Sequence, residues 1–366
     1  MRLEGIEILN FKNIASCSLE LSPGVNCLLG RNGMGKSNLL EAVHFLCMAR
    51  GMSHIPESCL LRHGTDLLMV KGRFADDRNV TEEISCGIVR GKGKTLKHDG
   101  KEYDRISEHI GRFPVVTVTP ADHILVSGGG EERRKLTDMV ISQSDGAYLS
   151  ELIRYTRALD SRNRMLRAGV RDDILYESVE HGMIESAHKI YERRKEWVES
   201  MRDTFKKYYS EISGTDEEAG IAYKSVLADD DMKEILKRNK GKDFSLGYTS
   251  RGVHRDDMEM TLGGYSIRRL GSQGQVKTYT IALRLAIFDY LRQTTGKTPL
   301  LLLDDIFDKL DSGRVGNIMQ MVSANEGFGQ IFITDTNREH LDETLAAISG
   351  SRKLLSVTDG SFSEIR

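Results

Sequence analysis

The chain has 366 residues, enough for one large domain or two to three ordinary ones, and its 39% hydrophobic and 29% charged residues describe a globular protein with a substantial core. Lysine and arginine (52) nearly balance aspartate and glutamate (54) for a net charge of −2, so composition does not announce a nucleic-acid partner, although a local basic surface would suffice for one. No run approaches the ~18 apolar residues of a transmembrane helix, and five cysteines without a C-x-x-C pair argue against a disulfide framework or zinc site.

The first residues, Met1-Arg2-Leu3-Glu4-Gly5-Ile6-Glu7-Ile8, alternate like a strand and lack the apolar core of a signal peptide, so a cytoplasmic protein is expected. Asn10-Phe11-Lys12-Asn13 reads as a turn to a strand over Ser16–Leu21, and Ser22-Pro23-Gly24 as a second turn. The apolar run Val25–Leu29 then enters Gly30-Arg31-Asn32-Gly33-Met34-Gly35-Lys36-Ser37, and Asn38 opens a helix-periodic stretch that Gly51 should stop. This is the P-loop pattern G-x-x-x-x-G-K-[ST] in its strand–loop–helix setting. The glycines let backbone N–H groups close around phosphate oxygens, and the helix N-terminus adds partial positive charge. Lys36 is expected to reach the β/γ-phosphates and Ser37 to hold Mg²⁺.

Short strands are expected over Leu67–Phe74, Val80–Ile84, Gly87–Arg90 and Val115–Val118. The hairpin tip Gly91–Thr95, with Arg90, Lys97, His98 and Lys101 nearby, is basic, and reads as a solvated turn or as a phosphate contact on DNA. Long charged helices follow over Glu131–Gln143, Tyr148–Arg167 and Ile174–Tyr209. Arg154, Arg157, Arg162, Arg164 and Arg167 read as a solvated face with intrachain partners or as a DNA-facing surface. Strands return near 244. His254, Asp256 and Asp257 superficially suggest a metal site, but no second ligand group of recognised spacing follows, so a structural role is favoured.

Leu270-Gly271-Ser272-Gln273-Gly274-Gln275 precedes a helix over Val276–Leu291. Its serine, its glycine and its position before a helix suit either phosphate or a plain N-cap. Pro299–Leu303 then runs into Asp304-Asp305, a buried strand ending in two carboxylates, the Walker B pattern. Asp304 would hold Mg²⁺ directly or through water, and Asp305 would orient or deprotonate the attacking water. Phe307–Asp311 follows at the spacing of a D-loop, and the strand Gln330–Thr334 leads to Asp335-Thr336 where most ABC proteins carry a switch histidine.

The order P-loop, insert, S-x-G-Q, Walker B and D-loop is similar to the ABC-type heads of SMC and RecF proteins. The whole chain resembles the RecF family: Asn10–Asn13 matches N-F-R-N, and Thr119-Pro120-Ala121-Asp122 matches S-P-E-D with Ala121 in place of the acid. Glu132-Arg133-Arg134 to Gln143 matches E-R-R…Q, Tyr155 with Arg162-Asn163 matches Y-x-R…R-N, and His254–Asp257 matches H-R-D-D. The resemblance implies an α/β, ABC-type P-loop ATPase head with a mixed sheet (residues 1–120 and 245–366) and a helical lobe (121–244) inserted between Walker A and the signature motif. It implies weak DNA-dependent ATP hydrolysis and ATP sandwiched in a homodimer, between Gly30–Asn38, Asp304 and Asp305 of one subunit and Ser272, Gln273, Gly274 and Gln275 of the other. It further implies binding at single-strand gaps and ds/ssDNA junctions, and partnership with RecR, in a pathway with RecO that loads RecA.

Other readings fit less well. A GTPase needs N-K-x-D, and Asn239-Lys240-Gly241-Lys242 lacks the acid. A chromosome-structural SMC ATPase needs far longer coiled-coil arms, and a transporter ATPase usually carries the switch histidine and lacks this lobe. An SMC-like or ABC-type ATPase with a different, non-repair partner is the alternative.

Overall fold

The computed structural model describes every residue except 53, 54, 308, 309, 325, 340, 342–349 and 366. In chain order the elements begin with β1 (Arg2–Phe11), β2 (Ile14–Glu20), β3 (Val25–Leu29), α1 (Lys36–Met48), β4 (Leu67–Ala75), β5 (Thr81–Val89), β6 (Gly93–His98), β7 (Lys101–Glu102) and β8 (Val115–Val118). Then come α2 (His123–Ser127), α3 (Gly130–Ser144), α4 (Gly146–Arg167), α5 (Asp173–Ser213), β9 (Ala219–Lys224), α6 (Met232–Leu246), β10 (Asp257–Leu262), β11 (Tyr265–Ser266), α7 (Ile267–Leu270) and α8 (Gln273–Thr295). The chain closes with β12 (Leu300–Asp304), α9 (Ser312–Ala324), β13 (Ile331–Asp335), β14 (Arg352–Thr358) and β15 (Ser361–Glu364).

Two compact units form. The first comprises Met1–Asp122, Glu211–Gly214 and Ile281–Arg366. Its central sheet has the order β15-β14-β3-β13-β12-β8, parallel except for β15. β12 and β13 are buried throughout, as unbroken apolar runs in a parallel sheet require. Because β13 lies between β3 and β12, the P-loop, Asp304 and Asp335 all leave the sheet at neighbouring carboxyl ends, where α/β sheets bind ligands. The second sheet of this unit, β2-β1-β4-β5-β6-β7, is antiparallel. β5 is one continuous strand where two were expected; Gly87 stays in register opposite Met69. α1 ends on Ala49 in the left-handed region (φ 50), not on Gly51.

The second unit comprises His123–Ser210 and Thr215–Thr280. Its division differs from the expected boundary at 245. β9 pairs with β10 along its whole length, and β10 with β11, so residues 257–266 close a three-stranded sheet with a strand from within the expected helical lobe. The lobe is therefore helices plus a small sheet. α6 also runs on to Leu246, past the point where strands were expected to resume.

Candidate nucleotide site

The P-loop is shaped by local backbone and by two turns that pack on it. Gly33 and Gly35 have φ of 81 and 112, conformations that L side chains rarely adopt. A Cβ on Gly35 would come within 2.8 Å of Asn13 Oδ1, and one on Gly30 within 2.5 Å of the Val357 carbonyl. Asn13, in the β1–β2 turn, donates to the Gly33 carbonyl (3.3 Å) and accepts from Asn38 Nδ2 (2.7 Å). Gly360, in the β14–β15 turn, donates its N–H to the Met34 carbonyl (2.8 Å). Asn13 was visible only as part of a family match; its role in bracing the loop needed the fold.

Asn32, Gly33, Gly35, Lys36, Ser37, Asn38 and Asp305 line one pocket. Arg31 is exposed, and its carbonyl accepts from Lys36 Nζ (3.1 Å), as does that of Gly30 (2.6 Å). Burial lowers the Lys36 pKa, while the charges of Asp305, Asp304 and Asp335 oppose that shift. Ser37 Oγ donates to Asp304 Oδ1 (2.8 Å), so the two expected Mg²⁺ ligands meet. Thr334 Oγ1 donates to the same oxygen (2.8 Å) and accepts the Asp305 N–H (2.9 Å). This fully buried threonine of β13 holds the Asp304 carboxylate and the Asp305 backbone, and no motif marked it. Burial raises the Asp304 pKa, the Ser37 and Thr334 bonds oppose this, and Asp305 adds to it. Asp335 accepts the N–H groups of Thr336 (2.6 Å) and Asn337 (2.9 Å), ordering the turn where a switch histidine would stand. The expected D-loop residues Asp308 and Lys309 lie outside the described residues.

Ser272 to Gln275 belong to the second unit and form a reciprocal cap at the start of α8. Ser272 Oγ accepts the Gln275 N–H (3.2 Å), and Gln275 Oε1 accepts the Ser272 N–H (2.9 Å). This is a capping box, S-x-x-Q. The N-cap reading and the phosphate reading are thus compatible. Oγ is used as an acceptor, which leaves its O–H available as a donor. The N–H groups of Gln273 and Gly274, in the first helical turn, have no intrahelical carbonyl to meet. Ser272 and Gln273 are exposed. The turn presents donors and a helix dipole, the chemistry an anion needs.

The other family matches largely find one another. Arg133 makes a two-pronged bond to Asp257 (2.6 and 2.9 Å), and Arg134 donates to the Asp256 carbonyl (2.6 Å). His254 bonds the Tyr155 hydroxyl (2.7 Å) and the Thr249 carbonyl (2.9 Å). Arg162, fully buried, bonds Glu180 (2.7 Å), Asp243 (2.8 Å) and Thr249 (2.8 Å), and Asn163 Oδ1 accepts from Thr249. The Asp257 and Asp243 carboxylates thus serve arginines, and that of Asp256 accepts from the Tyr223 hydroxyl. Of the remaining α4 arginines, Arg154 pairs with Glu185 (2.8 Å), while Arg157, Arg164 and Arg167 are exposed and have no carboxylate partner among the described residues. At the basic hairpin, Arg90 pairs with Asp66 (2.8 Å) and Lys94 with Glu57, whereas Lys92 and Lys97 stay exposed.

Buried histidines set an acid limit on stability. Burial lowers His44 to about 3, and His109 and His254 to about 4. Below the ordinary value near 6.5 the unfolded chain takes up these protons and the folded chain does not, so this contribution falls as pH falls from about 6.5 towards 4. Asp256 acts oppositely: burial raises it to about 6, so the folded chain takes its proton first. The balance near pH 5 is roughly two protons in favour of unfolding, a slope of about 2.5 kcal/mol per pH unit. Urea unfolding at pH 7, 6 and 5 should show stability falling, more steeply between pH 6 and 5 than between 7 and 6; a flat profile would contradict the neutral-histidine assignment.

Comparison with known proteins bears on this geometry. Residues 1–238 match the family described as AAA ATPase domain. "DNA replication and repair protein RecF" of Porphyromonas gingivalis is 45% identical over 98% of this chain and 99% of its own, and that of Parabacteroides distasonis is 47% identical over 98% of both. The solved structure of "the recombination mediator protein RecF-ATP in RecFOR pathway" superposes with a TM-score of 0.89 at 28% identity, covering 100% of this chain and 98% of that one. An Smc head bound to the C-terminal winged-helix domain of ScpA shares the fold alone (TM-score 0.58, 16% identity, 100% and 97% covered). With an ABC-type P-loop ATPase head, its inserted lobe and relatives this similar along its whole length, the chain belongs to the RecF family.

Proposed function

We propose that the chain is an ATP-switched, DNA-binding recombination mediator of the cytoplasm, whose nucleotide clasps two copies together. One observation carries the reading: the Walker residues line a pocket in one unit, and the Ser272 cap in the other unit leaves donors unused on an exposed turn. The P-loop supplies backbone N–H groups and Lys36, and the cap offers unused donors on an exposed turn. Each copy would hold ATP on Gly30–Asn38 and offer Ser272–Gln275 to the nucleotide of the other. ATP then shifts a monomer–dimer equilibrium because it binds the pair better than the single chain.

The residues present fit Mg²⁺ as well. Asp304, Asp305 and Asp335 surround one lysine, a charge balance that disfavours a bare triphosphate. A hydroxyl and a carboxylate already in contact are the few hard oxygen ligands Mg²⁺ takes beside phosphate. The ion would neutralise phosphate charge there. Asp305 would orient or deprotonate the attacking water, and hydrolysis would part the dimer. Pairing also doubles the basic surface, which lets a chain of net charge −2 hold DNA by its phosphates. The family setting supports preference for gaps and ds/ssDNA junctions, and action with RecR and RecO in loading RecA.

A nucleotide-panel binding assay joined to a DNA gel shift tests this. ATP should bind in preference to GTP, and DNA retention should rise with ATP and fall with salt. Nucleotide-indifferent DNA binding would overturn the switch. Lys36→Met should weaken ATP binding or turnover by about 30–150-fold, the loss of ~2–3 kcal/mol expected for a charged hydrogen-bond donor. Filter binding and phosphate release would measure it, and unchanged values for both would contradict the P-loop assignment.

A further inference from the structure

We infer that Glu217 is the positioning residue of the Ser272–Gln275 turn, and that through Tyr209 it ties that turn to the 41-residue helix α5. With its carbonyl oxygen spent on the Ser272 N–H, Gln275 has its amide nitrogen left, and this donates to Glu217 Oε1 at 2.6 Å. The other carboxylate oxygen of Glu217 accepts the Tyr209 hydroxyl at 2.9 Å. Tyr209 is fully buried on α5, and its ring meets that of Tyr279 edge-on, with centroids 6.1 Å apart. Tyr279 lies one helical turn after Gln275, on the same face of α8. Its hydroxyl donates to the Gly220 carbonyl at 2.5 Å. The first two turns of α8 are thus gripped at two levels by α5 and by the segment that follows it.

The consequence is specific. An amide free to rotate has two roughly equivalent orientations, and only one presents oxygen to Ser272. A carboxylate accepts and never donates, so Glu217 selects the orientation with nitrogen outward and oxygen towards Ser272. It thereby fixes the capping box, and with it the direction of the free Ser272 O–H. Without Glu217 the turn still forms, but the donor set is no longer held ready for the second copy's nucleotide. The inference rests on the reading that Ser272 acts on a second copy.

The test uses the full-length chain, a fluorescent ATP analogue for binding by the single chain, and light scattering for ATP-dependent pairing. Glu217→Ala should bind the analogue as the unaltered chain does, while the protein concentration for half-maximal pairing rises about tenfold, the scale of one charge-assisted hydrogen bond. Glu217→Gln has one acceptor oxygen where Glu217 uses two, so it can keep the bond to Gln275 but not the carboxylate's pair of bonds, and pairing should fall between Glu217→Ala and the unaltered chain. Tyr209→Phe keeps the bond to Gln275 and loses the link to α5; it should weaken pairing about threefold. The double change Glu217→Ala with Gln275→Ala should be no weaker than Gln275→Ala alone, because one residue acts through the other. Normal pairing by Glu217→Ala, additive losses in the double variant, or no rescue by Glu217→Gln would overturn the positioning role. Loss of analogue binding by Glu217→Ala would mark general damage and count against it too. Normal pairing by Tyr209→Phe would overturn the link to α5. An unaltered chain that never pairs with ATP overturns the two-copy reading itself, whereas a pairing chain indifferent to Glu217 overturns only this inference.

Discussion

Replacing Ser272 by arginine should leave each chain able to hold ATP and stop two chains from closing on it. The P-loop half of the site is built in the first unit from β3, α1, β12 and β13, whereas Ser272 belongs to the second unit. ATP binding by the single chain should therefore stay within about twofold of normal. Pairing should not. The cap is lost, which costs about 1 kcal/mol of local stability, against a total of roughly 5–15 kcal/mol for a typical domain. The larger effect is steric and geometric. The donors of Ser272, Gln273 and Gly274 work only if the helix start comes within hydrogen-bond distance of phosphate, and a guanidinium on a long stem at an exposed turn holds that surface away. Loss of several charge-assisted bonds at once should weaken pairing by at least ~100-fold. Ser272→Ala, which removes the cap and the O–H but adds no bulk, should fall between. Sedimentation with saturating ATP measures both, and a normal ATP-induced dimer in Ser272→Arg would sink the sandwich.

The second large effect is expected from Asp305→Asn, with the opposite sign on pairing. Asp305 has φ 47, a left-handed conformation that asparagine tolerates as well as aspartate does. Its backbone N–H stays on Thr334, so the β12–β13 link survives the change. The neighbouring charge that pushes Asp304 up is removed, which favours the ionised form of Asp304 that a cation requires. ATP binding should persist or tighten. Turnover should fall about 10²–10⁴-fold, the span of a positioned general base. The ATP dimer, unable to discharge, should accumulate and hold DNA longer. Phosphate-release kinetics beside a DNA-retention assay reads both halves, and unchanged turnover would remove Asp305 from its role.

The elements nearest the site were the most legible. Gly30–Ser37 and Asp304-Asp305 sit where motif and hydropathy place them, because a buried parallel strand ending in a glycine turn or an acid has few alternatives. The three long helices of the insert agree with their apolar periodicity to within a few residues. What escaped depends on residues far apart in sequence. β9 reads Ala-Gly-Ile-Ala-Tyr-Lys, weak as a strand until β10 pairs with it, and that pairing places β10 in the second unit, which runs on to Thr280. Thr334 and Asn13 are ordinary strand and turn residues until β13 is placed beside β12 and the β1–β2 turn beside the P-loop. Arg162 looked like one more charge in a basic helix, and only the loop that returns at Thr249 shows it to be a buried tie. The signature serine was legible as either a cap or a phosphate donor. Its hydrogen bonds show the cap and use the hydroxyl only as an acceptor.

The central claim is that ATP is a clasp between two copies, and molar mass in solution tests it most directly. Light scattering on the full chain with Mg²⁺ should give 41.1 kDa without nucleotide. With ATP the mass should rise to twice that value and return as ATP is consumed, faster with DNA present. A mass that stays at 41.1 kDa with saturating ATP and DNA would contradict the account.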